Sequence, residues 1–332
     1  MGTAWVLFWL CFFTGQYIRL LKCYRRQCDN ALTSGRTFRL SDSNVLRYTV
    51  KVPLECDIRS VRLIGTNGSD RSFYHIVVDH KGQYNFVPGQ YCGILPPGIS
   101  ERTKRPHLPR SYSLAPVLEE DGVDPSTCFS IGLRAPIITP DNVESFRDSW
   151  ICSRFLSGAS SGTPVRITGP FGKFMLSADD LEGKHNLLFV ATGTGIAPYL
   201  GFLKSILESS SSSGSVTDVG RILLFFGIQS PSTYIYRTVL EDYVSKFNGR
   251  LTVVPCYSRY GSESERGYVQ DMILRQRDLV NSMCFSGGRE CSIFICGCKS
   301  MDKAVCESLR TVFSENPDRD AILSRAKVEV YD

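Results

Sequence analysis

Asn186-Leu-Leu-Phe-Val-Ala191, followed by Thr192-Gly-Thr-Gly-Ile-Ala-Pro198, is the stretch on which the fold turns. An apolar run of strand length ends at two closely spaced glycines, and a helical stretch from Pro198 to Glu208 follows. The same beat recurs downstream. Ile222–Phe226 precedes a helical stretch over Ser232–Phe247, Leu251–Val254 precedes a loop and Val269–Ser282, and Ser292–Cys296 precedes Met301–Phe313. Repeated strand–helix units predict a parallel sheet with helices on its faces. The serine run Ser209–Gly214 reads as a surface loop. The glycines of the first turn let backbone come close to a ligand, and the helix start offers free N–H groups, so Thr192–Gly195 is a candidate phosphate site. The turn lacks both the full GxGxxG spacing and the Gly-Lys-Ser/Thr of a nucleotide hydrolase.

The preceding half has a different rhythm. Tyr48–Val52, Ser60–Ile64, Phe73–Val78 and Thr127–Ile131 are short runs rich in β-branched and aromatic residues, punctuated at Gly82, Pro88-Gly89, Pro96-Pro97-Gly98 and Gly169-Pro170. That pattern predicts a small barrel or sandwich. The chain is therefore read as residues 45–180, a β domain, and residues 181–332, an α/β domain, with a cleft between them where two cofactors can meet.

Composition narrows the function. A net charge of +5 on 332 residues is too weak to point to nucleic acid. The thirteen cysteines include no CxxC pair, which excludes the usual zinc spacings, and they read mostly as small buried thiols in a reducing compartment. The four histidines, His75, His80, His107 and His185, sit in no nucleophile or metal motif. Chemistry is expected from a cofactor. At the N-terminus, apolar Ala4–Phe13 is followed by Arg19, Lys22, Arg25 and Arg26 and by a Ser/Thr-containing, acid-poor stretch to Asn44. Two readings stay open for residues 1–44: a bipartite signal-and-transit leader, or a membrane anchor over Ala4–Leu21 with its basic flank in the cytosol.

Three further segments carry chemistry. Arg110-Ser111-Tyr112-Ser113 places a guanidinium and a phenol on one face of a strand and two hydroxyls on the other. Arginine suits a pyrophosphate, tyrosine a flat heterocycle, and serine a ring nitrogen. In isolation it is an ordinary half-buried strand. Gly169-Pro-Phe-Gly-Lys-Phe174 is a turn, or a plain connector. Ser258-Arg259, Arg266 and Tyr268 follow the third strand of the second half and suit a ribose phosphate with its adenine. With Glu263 and Glu265 nearby, a solvated loop is the alternative.

In order and together, these segments resemble plant-type ferredoxin–NADP reductase of the plastid kind. Cys152-Ser-Arg-Phe-Leu156, Val165–Lys173, Thr192–Pro198, Cys296-Gly297 and Val328-Glu-Val-Tyr331 carry the likeness, which runs from about Tyr48 to the end. The resemblance implies a six-stranded antiparallel barrel binding FAD and an α/β parallel-sheet domain binding NADP(H). It implies that Arg110, Ser111, Tyr112 and Ser113 hold the flavin, that Gly132, Leu133 and Arg134 run along its adenosine side, and that Ile151, Cys152 and Ser153 meet its pyrophosphate. Thr192, Gly193, Thr194 and Gly195 lie at the cofactors, and Ile228, Gln229, Ser258, Arg259, Arg266, Tyr268, Gln270 and Gly297 bind NADP(H). Ser113, Cys296, Glu329 and Tyr331 are the expected catalytic set. No metal site is expected. The implied partner is a plant-type 2Fe–2S ferredoxin, docked on a basic loop with Arg102, Lys104 and Arg105, and the implied location is an apicoplast-like plastid.

This chain departs from the family pattern at Ser111, at Ile138 where an aromatic residue is common, at Arg266 in place of lysine, and at Asp332, which follows the usual terminal aromatic residue. The alternatives are a membrane-anchored NAD(P)H–cytochrome reductase of the same superfamily, and a flavin- or nucleotide-binding redox sensor without turnover.

Overall fold

The structure is a computed structural model that describes residues 48–68, 70–139, 150–213, 219–285 and 288–331. The leader or anchor read in residues 1–44, and Asp332, lie outside the described residues. Among those described, no helix is long and apolar enough to cross a membrane.

Six strands form a closed barrel in the order β1-β2-β5-β4-β3-β6. They are β1 (Leu54–Thr66), β2 (Arg71–Asp79), β3 (Tyr91–Leu95), β4 (Arg110–Ala115), β5 (Cys128–Pro136) and β6 (Pro164–Phe171), every pairing antiparallel. Helix α1 (Ile151–Ser157) lies between β5 and β6 in the chain. Alternation along the strands sends Leu54, Cys56, Ile58, Ile76, Val78, Phe129 and Ile131 into the barrel core. Closure settles the choice between barrel and sandwich. The strand expected at Tyr48–Val52 is absent: Tyr48 makes one bridge to Gly169, and Thr49 and Val52 then close a tight turn with Val50 and Val52 exposed. Neither valine has a core to bury into, so β-branching alone does not make a strand here.

The second half is a five-stranded parallel sheet of order β11-β10-β7-β8-β9. Its strands are β7 (Asn186–Thr192), β8 (Ile222–Ile228), β9 (Leu251–Tyr257), β10 (Cys291–Cys298) and β11 (Lys327–Tyr331). Leu187, Phe189 and Ala191 face a core with Tyr199, Phe202 and Leu203 of α2 (Ala197–Ser213) and Leu240 of α3 (Arg237–Lys246). Leu188 and Val190 face the opposite core, with Ile273 of α4 (Val269–Arg275), Val280 of α5 (Arg277–Phe285) and Val305 and Leu309 of α6 (Lys299–Val312). Burial on both faces is why these strands read as unbroken apolar runs.

Three expected element boundaries move. The serine run is helical as far as Ser213, and the buried Ser210 hydroxyl satisfies itself by donating to the Ile206 carbonyl at 2.7 Å. The stretch over Ser232–Phe247 begins as a short 3₁₀ turn at Pro231–Thr233, and α3 starts only after Tyr236, which sits in the left-handed region at φ 56°. The helix expected over Val269–Ser282 is two, broken at Gln276.

A buried polar contact joins the halves. His75 on β2 and Asp121, in a turn after β4, are bonded at 2.9 Å, and the other ring nitrogen of His75 meets the Tyr236 hydroxyl at 3.1 Å. Arg62 of β1 also reaches Asp121, at 3.1 Å. Burial by itself raises the Asp121 carboxyl, but the hydrogen bond from His75 and the other donors outweigh it and hold the group below its ordinary value. Replacing Tyr236 by Phe leaves a buried imidazole nitrogen without its partner, at a cost of about 1–3 kcal/mol. Thermal denaturation is expected to show a lower midpoint for Tyr236→Phe and no change for Tyr260→Phe, whose ring is 56% exposed.

Candidate active site

The parallel sheet brings the carboxyl ends of β7, β8, β9, β10 and β11 to one edge, where open α/β sheets bind ligands. The turn after β7 runs Gly193–Ile196 as one 3₁₀ turn, with Gly193 at φ 53°, directly into α2. This turn packs backbone to backbone on the end of β10. A Cβ on Gly195 would stand 2.4 Å from the Cys296 carbonyl oxygen, and one on Gly297 would stand 2.2 Å from Thr192 Oγ1. A larger residue at Gly195 requires the backbone to shift, and one at Gly297 requires the Thr192 and Met301 side chains to move.

Tyr331 closes over the same turn. Its hydroxyl donates to the Thr192 carbonyl at 3.0 Å and accepts from Thr194 Oγ1 at 3.3 Å. Burial pushes the phenol well above its usual range, so it stays neutral. In the β10–β11 ladder Cys296 lies opposite Glu329. Cys296 is fully buried, and burial, then the neighbouring Glu329, push its thiol well up. A thiol so placed is a packing and contact group, not a nucleophile. Glu329 Oε2 is buried with no hydrogen-bond partner, and burial raises the carboxyl to about 7. Glu329 lines a cavity of about 520 Å³ with Tyr91, Gly172, Lys173, Phe174 and Lys327. The cavity lies between β11 and the barrel wall, and the orphaned carboxyl oxygen beside it is a donor-seeking group of the kind a heterocyclic cofactor satisfies.

On the barrel, β4 and the start of α1 converge. Tyr112 pairs with Cys92, and Ser113 with Tyr91 at the cavity. The Tyr112 phenol is pushed up by burial and then by Cys152, while a hydrogen bond with Ser153 opposes the rise. Arg110 is exposed and donates to the Leu108 carbonyl at 3.0 Å. Ser111 is exposed on the same strand. Cys152 is buried, with Ile151 and Ser153 half-buried beside it in the first turn of α1. Leu133 points into the barrel core, so only its backbone can meet a ligand, and Gly132 sits against Tyr236, Ala197 and Thr194.

Sequence reasoning missed Trp150. It precedes α1 in the left-handed region at φ 58°, with the guanidiniums of Arg71 and Arg134 at 5.0 and 5.3 Å from its ring centroid. A bulky residue with positive φ is strained and is held by its surroundings. No local sequence pattern announces it.

The remaining predicted residues form a second group at the far side of the edge. Ser258 and Arg259 donate their backbone N–H groups to the Ile228 and Gln229 carbonyls, each at 2.9 Å. Arg259, Arg266 and Tyr268 are exposed, and Tyr268 starts α4 with Gln270 in its first turn. Glu265 is turned onto Ser262, whose hydroxyl and N–H it accepts at 2.8 and 2.9 Å, rather than onto either arginine. The basic loop before β4 is exposed at Arg102, Lys104 and Arg105, between the exposed apolar side chains Ile99 and Leu108. Among the described residues no cluster of His, Cys, Asp and Glu suits a metal ion.

An antiparallel barrel beside a parallel nucleotide-binding sheet, with a carboxylate on the sheet's last strand lining a cavity against the barrel, defines a two-domain nicotinamide-dependent oxidoreductase. Residues 189–307 match the oxidoreductase NAD-binding domain. The chloroplastic embryo isozyme of ferredoxin–NADP reductase from Oryza sativa subsp. japonica is 32% identical over 299 residues, covering 86% of this chain and 76% of that relative. The chloroplastic root isozyme 1 from Arabidopsis thaliana is 31% identical, covering 81% and 70%. The solved ferredoxin–NADP+ reductase from Plasmodium falciparum is 26% identical with a TM-score of 0.66, covering 87% of this chain and all of that one. The same enzyme solved with 2′P-AMP is 25% identical with a TM-score of 0.65. This chain belongs to the ferredoxin–NADP reductase family.

The Glu329 carboxyl gives a measurable signature. A folded value near 7 against 4.5 for the free group means that the folded state binds the extra proton. Its contribution is fully present below pH 4.5 and is lost as pH rises through about 7. Over that window wild type should lose stability on the order of 3 kcal/mol relative to Glu329→Gln, read by denaturant unfolding at a series of pH values. Parallel curves for the two proteins would show that the carboxyl is not shifted.

Proposed function

We propose that this protein moves electrons between NADPH and ferredoxin, with FAD in the barrel and NADP(H) on the sheet edge, residues 45–180 and 181–332 being the two binding domains. The observation that carries the reading is the convergence of Thr192, Cys296 and Tyr331 at the sheet edge, with Glu329 opposite Cys296 lining the cavity that it shares with Tyr91 of the barrel. Bound FAD supplies the conversion between two-electron and one-electron transfer.

The residues divide the labour. Arg110, with Ile151, Cys152 and Ser153, serves the flavin pyrophosphate, Tyr112 packs on the flavin, and Ser113 offers its hydroxyl to the ring. Gly132, Leu133 and Arg134 follow the adenosine. Thr192–Gly195 and Gly297 keep backbone close to the nicotinamide end. Ile228, Gln229 and Ser258 support the nucleotide, Arg259 and Arg266 take its 2′-phosphate, and Tyr268 and Gln270 cover the adenine side. Cys296 excludes water from the reacting face, and Glu329, near its midpoint at neutral pH, holds a proton there. Two hydrogen bonds tether Tyr331 to the turn, few enough to exchange for a nicotinamide.

The carrier is a plant-type 2Fe–2S ferredoxin, and the location is a plastid reached through the leader in residues 1–44. The plant relatives, which are chloroplastic, support the location. The test is NADPH-driven cytochrome c reduction with and without a plant-type ferredoxin. A large ferredoxin-dependent rate is expected. A fast rate indifferent to ferredoxin would favour a cytochrome-type reductase, and no rate with flavin bound would favour a sensor.

Docking is assigned to the basic loop. Reversing Lys104 and Arg105 to glutamate should raise the ferredoxin KM roughly tenfold at low salt and leave NADPH–ferricyanide turnover alone. An unchanged ferredoxin KM would move the docking face elsewhere.

A further inference from the structure

At the opposite end of the sheet from the cofactor edge, two cysteines face each other. Cys284 is next to the last residue of α5, and Cys291 is the first residue of β10. Their sulfur atoms are 3.4 Å apart, and the residues are only 4% and 8% exposed. One residue fixes the backbone beside both. The Asn186 side chain donates to the Met283 carbonyl at 2.9 Å, and its backbone N–H donates to the Glu290 carbonyl at 2.8 Å. Asn186 also pairs with Cys291 in the ladder, and Arg221 grips Ser282 through its carbonyl at 2.6 Å and its hydroxyl at 3.3 Å. The two thiols are thus held in register by the fold itself. A disulfide is about 2.05 Å long, so closure asks that the sulfurs move together by roughly 1.3 Å.

We propose that Cys284 and Cys291 are a redox-convertible dithiol which hydrogen peroxide closes to an intramolecular disulfide, stapling the end of α5 to the start of β10. The burial selects the oxidant: a peroxide molecule is scarcely larger than two waters, whereas a protein or peptide disulfide has no access to sulfurs this covered. Cys291, the more exposed of the two, attacks first. Its sulfur forms a bond to one peroxide oxygen as the O–O bond breaks, and the other oxygen leaves as water with the thiol proton. Cys284 then attacks the oxidised sulfur. The S–S bond forms, the S–O bond breaks, and a second water leaves with the Cys284 proton. Two electrons pass from the thiols to one peroxide, which becomes two waters.

The same surroundings set the tempo. The bond to Cys291, then burial, push the Cys284 thiol well up, with Arg221 opposing. The pair therefore closes under sustained peroxide and does not act as a fast sensor. Its effect is mechanical. Cross-linking positions 284 and 291 removes freedom from the unfolded chain. Cys296 lies five residues further along β10, about 17 Å away, so the nucleotide edge is untouched.

The experiment treats the full chain, loaded with FAD, with increasing peroxide, then alkylates and digests it with trypsin. Cleavage after Arg289 separates the fragment with Cys284 from the one beginning at Glu290, which carries Cys291. The expected product is a dithiothreitol-sensitive species joining the two fragments, lighter by two hydrogens than their sum, with fragmentation placing the bond at Cys291 rather than at Cys296 or Cys298. The thermal midpoint should rise by about 5 °C, with NADPH–ferricyanide turnover unchanged, and Cys284→Ser should show neither link nor rise. If that variant does not fold, the wild-type cross-link and midpoint decide alone. Free Cys284 at peroxide levels that consume the exposed Cys298, a link to Cys296 or Cys298, or a correct link with an unchanged or lower midpoint would each overturn the proposal.

Discussion

The contact on which this molecule depends is the approach of one backbone to another at the carboxyl edge of the parallel sheet. The turn after β7 and the end of β10 touch so closely that a side chain on Gly195 would meet the Cys296 backbone, and one on Gly297 would meet the Thr192 side chain. Thr192, Cys296 and Tyr331 take their positions from that approach, and Glu329 takes its position from the ladder that pairs it with Cys296. Parallel pairing makes the approach possible. Each strand ends at the same edge, so four loops distant in sequence and the end of β11 open onto one line. The barrel then needs only to stand beside that line, and the His75–Asp121–Tyr236 contact is one of the buried ties that keep it there.

The electrostatics follow from what is left unsatisfied. Most buried polar atoms here have partners: Asn186, Thr168 and Ser210 each spend theirs on nearby backbone. Glu329 Oε2 has none, and it is at the wall of the cavity between the two halves. A carboxyl that titrates near neutrality in such a place exchanges a proton with little driving force either way. Cys296 shows the opposite case. Burial and the facing carboxyl keep it a thiol, which makes it an inert wall.

Much of this was legible in the sequence, for physical reasons that differ by element. The strands β7, β8 and β10 announced themselves because burial on both faces demands continuous apolar runs. The glycine turn was legible because a close approach admits no other residue. Tyr48–Val52 misled because its β-branched residues have no face to bury. The serine run misled because polar residues read as loop even when, as at Ser210, a hydroxyl bonds its own helix. His75 and Asp121 are 46 residues apart and their partner Tyr236 is farther still, so no local pattern reveals them. Trp150 was silent for the same reason: Arg71 and Arg134 come to it from two different strands.

That tryptophan has an optical consequence. Trp5 and Trp9 lie outside the described residues, which leaves Trp150 as the single indole among those described. It sits one residue before the start of α1, between two cationic side chains. Any chain shorn of its first residues therefore carries one built-in fluorophore, fixed in a strained backbone on the wall assigned to the flavin's adenosine half. Excited at the long-wavelength edge, where the tyrosines do not absorb, its emission colour and lifetime report the polarity and charge of that one spot.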